Sequence, residues 1–170
     1  MKKLLFALLC FTCLGQIQAQ SSYLTEIKQK WVNSKAYMME VAQSMPEEHY
    51  GYKPSEEQMS FQEQLLHILG NMRWLSSSYL GGKRLEVDLK KTDYSKAEVL
   101  MLLQKGFDQT TKAIEGLDPE MLNEGVSFFA GPMTKRQILT LMNDHLTHHR
   151  AQTIIYLRLN GVQPPSYRGW

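Results

Sequence analysis

Apolar residues recur along this chain in four stretches at helical spacing. Leu24, Ile27, Trp31, Met38, Val41 and Met45 follow one another at steps of three and four, broken at Ser34, and predict a first helix of about six turns. Phe61, Leu65, Ile68, Met72, Leu75 and Tyr79 predict a second, which Gly81 and Gly82 stop. Leu100, Leu103, Phe107, Thr110, Ile114 and Leu117 make a third stripe, ended by Asp118 and Pro119. A fourth carries Ile138, Met142, His145, His149, Gln152, Tyr156 and Leu159 as its inward line. The last three segments open on Ser60, Ser95 and Thr134, each followed three residues later by Glu63, Glu98 or Gln137. These are capping boxes, in which the hydroxyl accepts from an exposed backbone N–H and the longer side chain reaches back.

Pro46, Gly51 and Pro54 fill the first connection, and the charged run KRLEVDLKKTDY makes the second. The third, PEMLNEGVSFFAGPM, suits a short helical turn and an extended piece over one end of a bundle. With no convincing strand pair and four amphipathic segments, the expected fold is all-α, a four-helix bundle. The tail GVQPPSYRGW cannot continue a helix through two prolines, and Tyr167 and Trp170 suggest that it packs back.

The first residues change this picture. MKKLLFALLCFTCLGQIQAQ has two lysines, an apolar run from Leu4 to Leu14, then small and polar residues, the layout of a secretory signal peptide cleaved after Ala19. The run is short of the roughly 20 residues that a spanning helix needs. The expected protein is therefore exported, periplasmic or secreted, with a leader at 1–19, a single domain at 20–170 and no membrane association after cleavage. A lipidated cysteine is the competing reading of Cys10 and Cys13, but Leu9 and Thr12 are poor residues just before such a site.

Cleavage removes both cysteines, and with them any disulfide or thiol nucleophile. It also removes Lys2 and Lys3, so the 19 basic residues become 17, against 17 acidic ones. A neutral chain lacks the basic footprint with which nucleic-acid binders displace counterions.

Three of the five histidines crowd into NDHLTHHRAQ. His145 and His149, four apart on one helical face, can meet a single ion, whereas His148 lies about 100° around from His149 and reads as solvated or supporting. A further ligand must come from another helix. His67 is the candidate, on a second line of helix two with Asn71, Trp74 and Ser78. The wheel allows this site without requiring it. A buried polar network is the other reading, although burying each imidazole without a partner costs about 1–3 kcal/mol.

Two stretches, MPEEHYGYKPSEEQMSFQEQLLHILGNMRWL and MTKRQILTLMNDHLTHHRAQTIIYLRLNGVQPPSY, resemble the DinB/YfiT-like superfamily of four-helix bundles. The specific parts are a histidine within the second helix, a late H-x-x-x-H-R-x-Q and the ending Y-L-R-L-N-G-x-x-P-P. The resemblance implies a divalent metal held by His67, His145 and His149, with its other positions left to water. It also implies homodimers, which relatives often form. His148 falls outside the family pattern. The family's name refers to DNA-damage induction, which is a matter of regulation, and the charge gives no support for DNA binding.

Imidazoles suit zinc, nickel, copper and iron, and manganese belongs among the ions to be tried. An H-E-x-x-H metalloprotease carries its base between the ligands, but here Leu146, Thr147 and His148 intervene, so no general base stands out. Asp144 and Gln152 are candidate orienters of the ligands, and Asn71 could touch water or substrate. Trp31, Met38 and Trp74 are either pocket lining or core filler. Arg150 has no role legible in the sequence. The functional expectation is a metal-dependent hydrolase of a small molecule. The alternatives are a metal-dependent thiol transferase, disfavoured by export into an oxidising compartment, and a non-catalytic metal- or ligand-binding bundle.

Overall fold

The structure, a computed structural model, describes residues 2–91 and 93–170, with side chains from Ser21 onward. The expected leader, Cys10 and Cys13 included, lies outside the described side chains. Four helices, α1 (Lys2–Ser44), α2 (Phe61–Tyr79), α3 (Lys96–Glu115) and α4 (Lys135–Leu159), form the bundle. The backbone of α1 runs helical through the expected cleavage point, well before the predicted start at Leu24. No helix among the described residues is long and apolar enough to cross a membrane.

All three capping boxes form. Ser60, Ser95 and Thr134 each accept from the backbone N–H three residues on, at 3.1, 3.3 and 3.3 Å, and Glu63, Glu98 and Gln137 reach back to within 2.6, 2.7 and 2.8 Å. At the other end of α2, Gly81 takes φ +73°, which lets the N–H of Gly82 close on the carbonyl of Ser76 at 2.9 Å.

Helix α2 packs against α3 and α4, and α1 packs against the same two. The order around the bundle is thus α1, α3, α2, α4, with α1 and α2 at opposite corners. Trp31, Met38, Phe61, Leu65, Leu69, Leu103, Phe107 and Leu139 are among the buried side chains at its centre. Helices α2 and α3 approach closely at Gly106, where a Cβ would stand 2.3 Å from Leu69 Cδ1.

Two expectations are corrected here. The third connection holds a 3₁₀ turn at Pro119–Asn123 and a small antiparallel pair, β1 (Gly125–Val126) with β2 (Met133–Thr134), where no strand pair was expected. The pair gives backbone groups partners in a segment too irregular in pattern to announce a strand. On α4 the predicted Ile138, Met142 and Tyr156 are buried, but the buried face also takes in Leu139, Asn143, Leu146, Arg150, Thr153 and Leu157, while His145, His149 and Gln152 are half-buried and Leu159 is exposed. Because α4 touches both α1 and α2, its most buried line bisects the two, and the histidine line falls toward α2 and solvent.

The tail does fold back, along α1. Tyr167 meets Tyr37 edge-on at 6.2 Å, Arg168 pairs with Glu40, and Lys30 lies 5.0 Å from the ring centre of Trp170.

Candidate metal centre

Helix α2 carries His67 and α4 carries His145 and His149 to one edge of the bundle. The Nε2 atoms of His67 and His145 are 3.0 Å apart, and the nearest ligating nitrogens of all three rings lie within 4.8 Å of one another. The ring centres of His67–His149 and His145–His149 are each 4.4 Å apart. An ion held at 2.0–2.1 Å by imidazole nitrogens needs them about 3 to 3.4 Å apart, so side-chain adjustment alone would close the set.

The surroundings prepare these rings as ligands. His149 Nδ1–H donates to Gln64 Oε1 at 2.7 Å and, less closely, to Gln152 Oε1 at 3.2 Å. A proton on Nδ1 leaves the Nε2 lone pair bare, the form that binds a cation. Gln152 also donates from Nε2 to His148 Nε2 at 3.1 Å, which ties His148 into the support. Burial lowers the pKa of His67 and His149 below the ordinary imidazole range, and neighbouring imidazoles add to the effect at His149. His145, buried and facing His149, His67 and His148, is pushed down to about 4. These downward shifts favour the neutral ring, the form that ligation requires. No carboxylate joins the cluster among the described residues, so the donor set is wholly imidazole.

His67 is exposed on the side away from α4, where it lines a cavity of about 1050 Å³ along the outer face of α2. Asn71, one turn on, lines the same cavity, and its Oδ1 is buried without a hydrogen-bond partner among the described residues. Trp74, 38% exposed, continues this line and stacks on Phe128 with ring centres 5.6 Å apart.

The residues singled out in the sequence divide accordingly. His67, His145 and His149 come together, Gln152 supports them, and Asn71 faces the cavity. Asp144 is exposed, turned to solvent by its position on α4, and makes no hydrogen bond to the cluster among the described residues. Trp31 and Met38 are core, and only Trp74 reaches the cavity. Gln64 was missed. Its signal was a polar residue three before His67, on the same side of α2. Arg150 proves to be a core residue, 6% exposed, with its guanidinium 4.8 Å from the Tyr37 ring centre and Nη1 unpartnered among the described residues.

The model of the DinB family matches residues 19–169. The chain is 27% identical over 133 residues to YjoA, an uncharacterized protein of Bacillus subtilis strain 168, a span covering 76% of this chain and 86% of YjoA. The crystal structure of the DinB-like YjoA superimposes with a TM-score of 0.70 at 23% identity, covering 84% of this chain and 96% of the other. A DinB-like protein of Bacillus cereus ATCC 10987 gives 0.73 at 19% identity, covering 84% and 95%. YfiT of Bacillus subtilis, described as a probable metal-dependent hydrolase with an unusual four-helix bundle topology, gives 0.59 at 16% identity, covering 85% and 89%.

Proposed function

The chain belongs to the DinB family, and from that membership and the three clustered imidazoles, of which His67 lines a cavity, we propose a metal-dependent hydrolase acting on a small molecule. The observation that carries the reading is a histidine set oriented by hydrogen bonds, one member of which, His67, opens onto a cavity. A structural site would be closed on all sides, whereas a catalytic one keeps positions free. The description of YfiT supports the same class of chemistry.

A divalent ion held by neutral imidazoles keeps its full charge, polarises a bound carbonyl or phosphoryl group and brings a bound water's pKa to about 7. His67, His145 and His149 would hold it. Gln64 and Gln152 fix the ring of His149, and Asn71 lines the cavity one turn from His67. No carboxylate joins the three imidazoles among the described residues, so a bound metal would have to supply activated water without a carboxylate base in its ligand set.

Export after cleavage at Ala19 and pairing as a homodimer complete the reading. The leader pattern supports the first, and the resemblance to the family the second.

The test is elemental analysis of residues 20–170 beside His67→Ala and His145→Ala, each checked for folding by circular dichroism. A panel of ester, amide and phosphoester substrates, with and without chelator, would accompany it. About one ion per chain, lost in both variants, with chelator-sensitive turnover, is the expected outcome. No bound metal and no uptake of zinc, nickel or manganese would overturn the site. Metal without turnover of any panel member would point instead to a binding bundle.

A further inference from the structure

The charge of the cavity beside His67 is one-sided. Lys53, Arg73, Arg84, Lys90 and Lys91 line it against a single carboxylate, Glu63. Composition does not account for this, because the whole chain carries a formal charge of only +2.

Partners explain some of these cations and leave others. Glu63 is committed to the Ser60 cap and lies 3.2 Å from Lys53. Lys91 stands 3.6 Å from Glu98 and 4.0 Å from Asp93, and Arg73 donates from Nη1 to the carbonyl of Val87 at 3.2 Å. Neither the Arg84 nor the Lys90 side chain has a hydrogen bond or counter-ion among the described residues; Asp88, the carboxylate next to Lys90, accepts from its backbone N–H instead.

The segment that bears Lys90 and follows Arg84 is held against α2. Leu89 packs so closely over Gly70 that a Cβ there would meet it at 2.9 Å, Arg73 clasps Val87, and Tyr94 donates its hydroxyl to the carbonyl of Asp88 at 2.9 Å. Positive charge without a counter-ion among the described residues is thereby set along the wall of a cavity whose other features are His67 and Trp74. A cleft lined by one sign of charge focuses its field and raises the local concentration of counter-ions.

We infer that the cavity takes a small anionic molecule, its carboxylate or phosphate bound by Arg84 and Lys90 and its apolar part against Trp74. That this molecule is also the substrate rests on the hydrolase reading above; the anion site itself does not.

The probes are 1-naphthoate and its neutral counterpart 1-naphthamide, titrated calorimetrically into the metal-free protein, the zinc-treated protein and the Arg84→Gln/Lys90→Gln double variant. Naphthoate should bind roughly tenfold more tightly than the amide with or without zinc, and the advantage should shrink with salt. In the double variant it should vanish while zinc content stays the same. Equal binding of acid and amide, no binding of either, a preference that survives in the double variant, or one present only with zinc would each overturn the inference. Failure of the metal reading would look different: no zinc retained, with the acid still preferred.

Discussion

Gln64→Leu removes the closest hydrogen bond that orients a metal-site histidine while leaving the bundle's packing nearly intact. Gln64 is only 2% exposed, and leucine fills a similar volume. Its other contact, from Nε2 to the Tyr156 hydroxyl, is long at 3.5 Å, and that hydroxyl keeps its bond to the carbonyl of Met59 at 3.0 Å. The change therefore falls on His149. Its Nδ1–H loses the acceptor at 2.7 Å and retains the one at 3.2 Å on Gln152, so the ring gains freedom to turn its Nε2 away from His67 and His145. Loss of such a supporting partner costs about 10- to 100-fold in metal affinity, or roughly 1.4 to 2.7 kcal/mol. Gln152→Leu, at the longer contact, should cost less, and the double variant should lose more than the sum, because Nδ1–H then has no acceptor. Competition against a chromogenic chelator gives the zinc affinity, and thermal melting of the metal-free proteins should show little change. Parent affinity in a folded Gln64→Leu protein, or a larger loss from Gln152→Leu, would show that hydrogen bonding to His149 does not prepare the site.

Three further outcomes are expected. An unfolded histidine takes its proton at 6.5, whereas folded His145 holds out to about 4, so the unfolded state binds more protons as pH falls between those values and stability drops. With His145 half-exposed, the nominal difference is discounted to about 1–2 kcal/mol, to be read from urea melts of metal-free protein at pH 7.5 and 4.5; His145→Gln should remove this part of the slope. Gly106→Ala places a methyl 2.3 Å from the fully buried Leu69 Cδ1 and should destabilise by about 1–3 kcal/mol in urea, and an unchanged midpoint would mean that α2 and α3 are free to separate. Thr134→Ala should cost about 1 kcal/mol while Thr134→Ser costs little, and equal losses would remove the hydroxyl from the account of the α4 start.

Much of this architecture was legible because it follows from local rules. The capping boxes marked the starts of α2, α3 and α4, and their apolar periods gave the helices. The ligand set needed one more step, since a wheel places residues on faces but does not say which helices meet; the resemblance to the family supplied the pairing of His67 with His145 and His149. What stayed hidden depended on that packing. The α4 stripe was drawn one line too far toward the histidines because a helix with two neighbours buries the bisector of two faces. Gln64 was passed over because its partner lies 85 residues away, and Arg150 because nothing local reveals that Tyr37 will cover it. The cationic cavity was invisible for the same reason, as Arg84 and Lys90 belong to a connection whose course along α2 is set by tertiary contact.

The circular order α1, α3, α2, α4 bears on how the molecule assembles as it is made. The first two helices to leave a ribosome stand at opposite corners, so neither can bury its stripe on the other. A core can close only once α3 arrives to bridge them, and α4 then completes the ring. His67 must wait 78 residues for His145. Binding at the imidazole cluster is therefore a reporter of the last docking event, and the earlier half-chain would remain open, a form suited to threading and exposed to capture by chaperones.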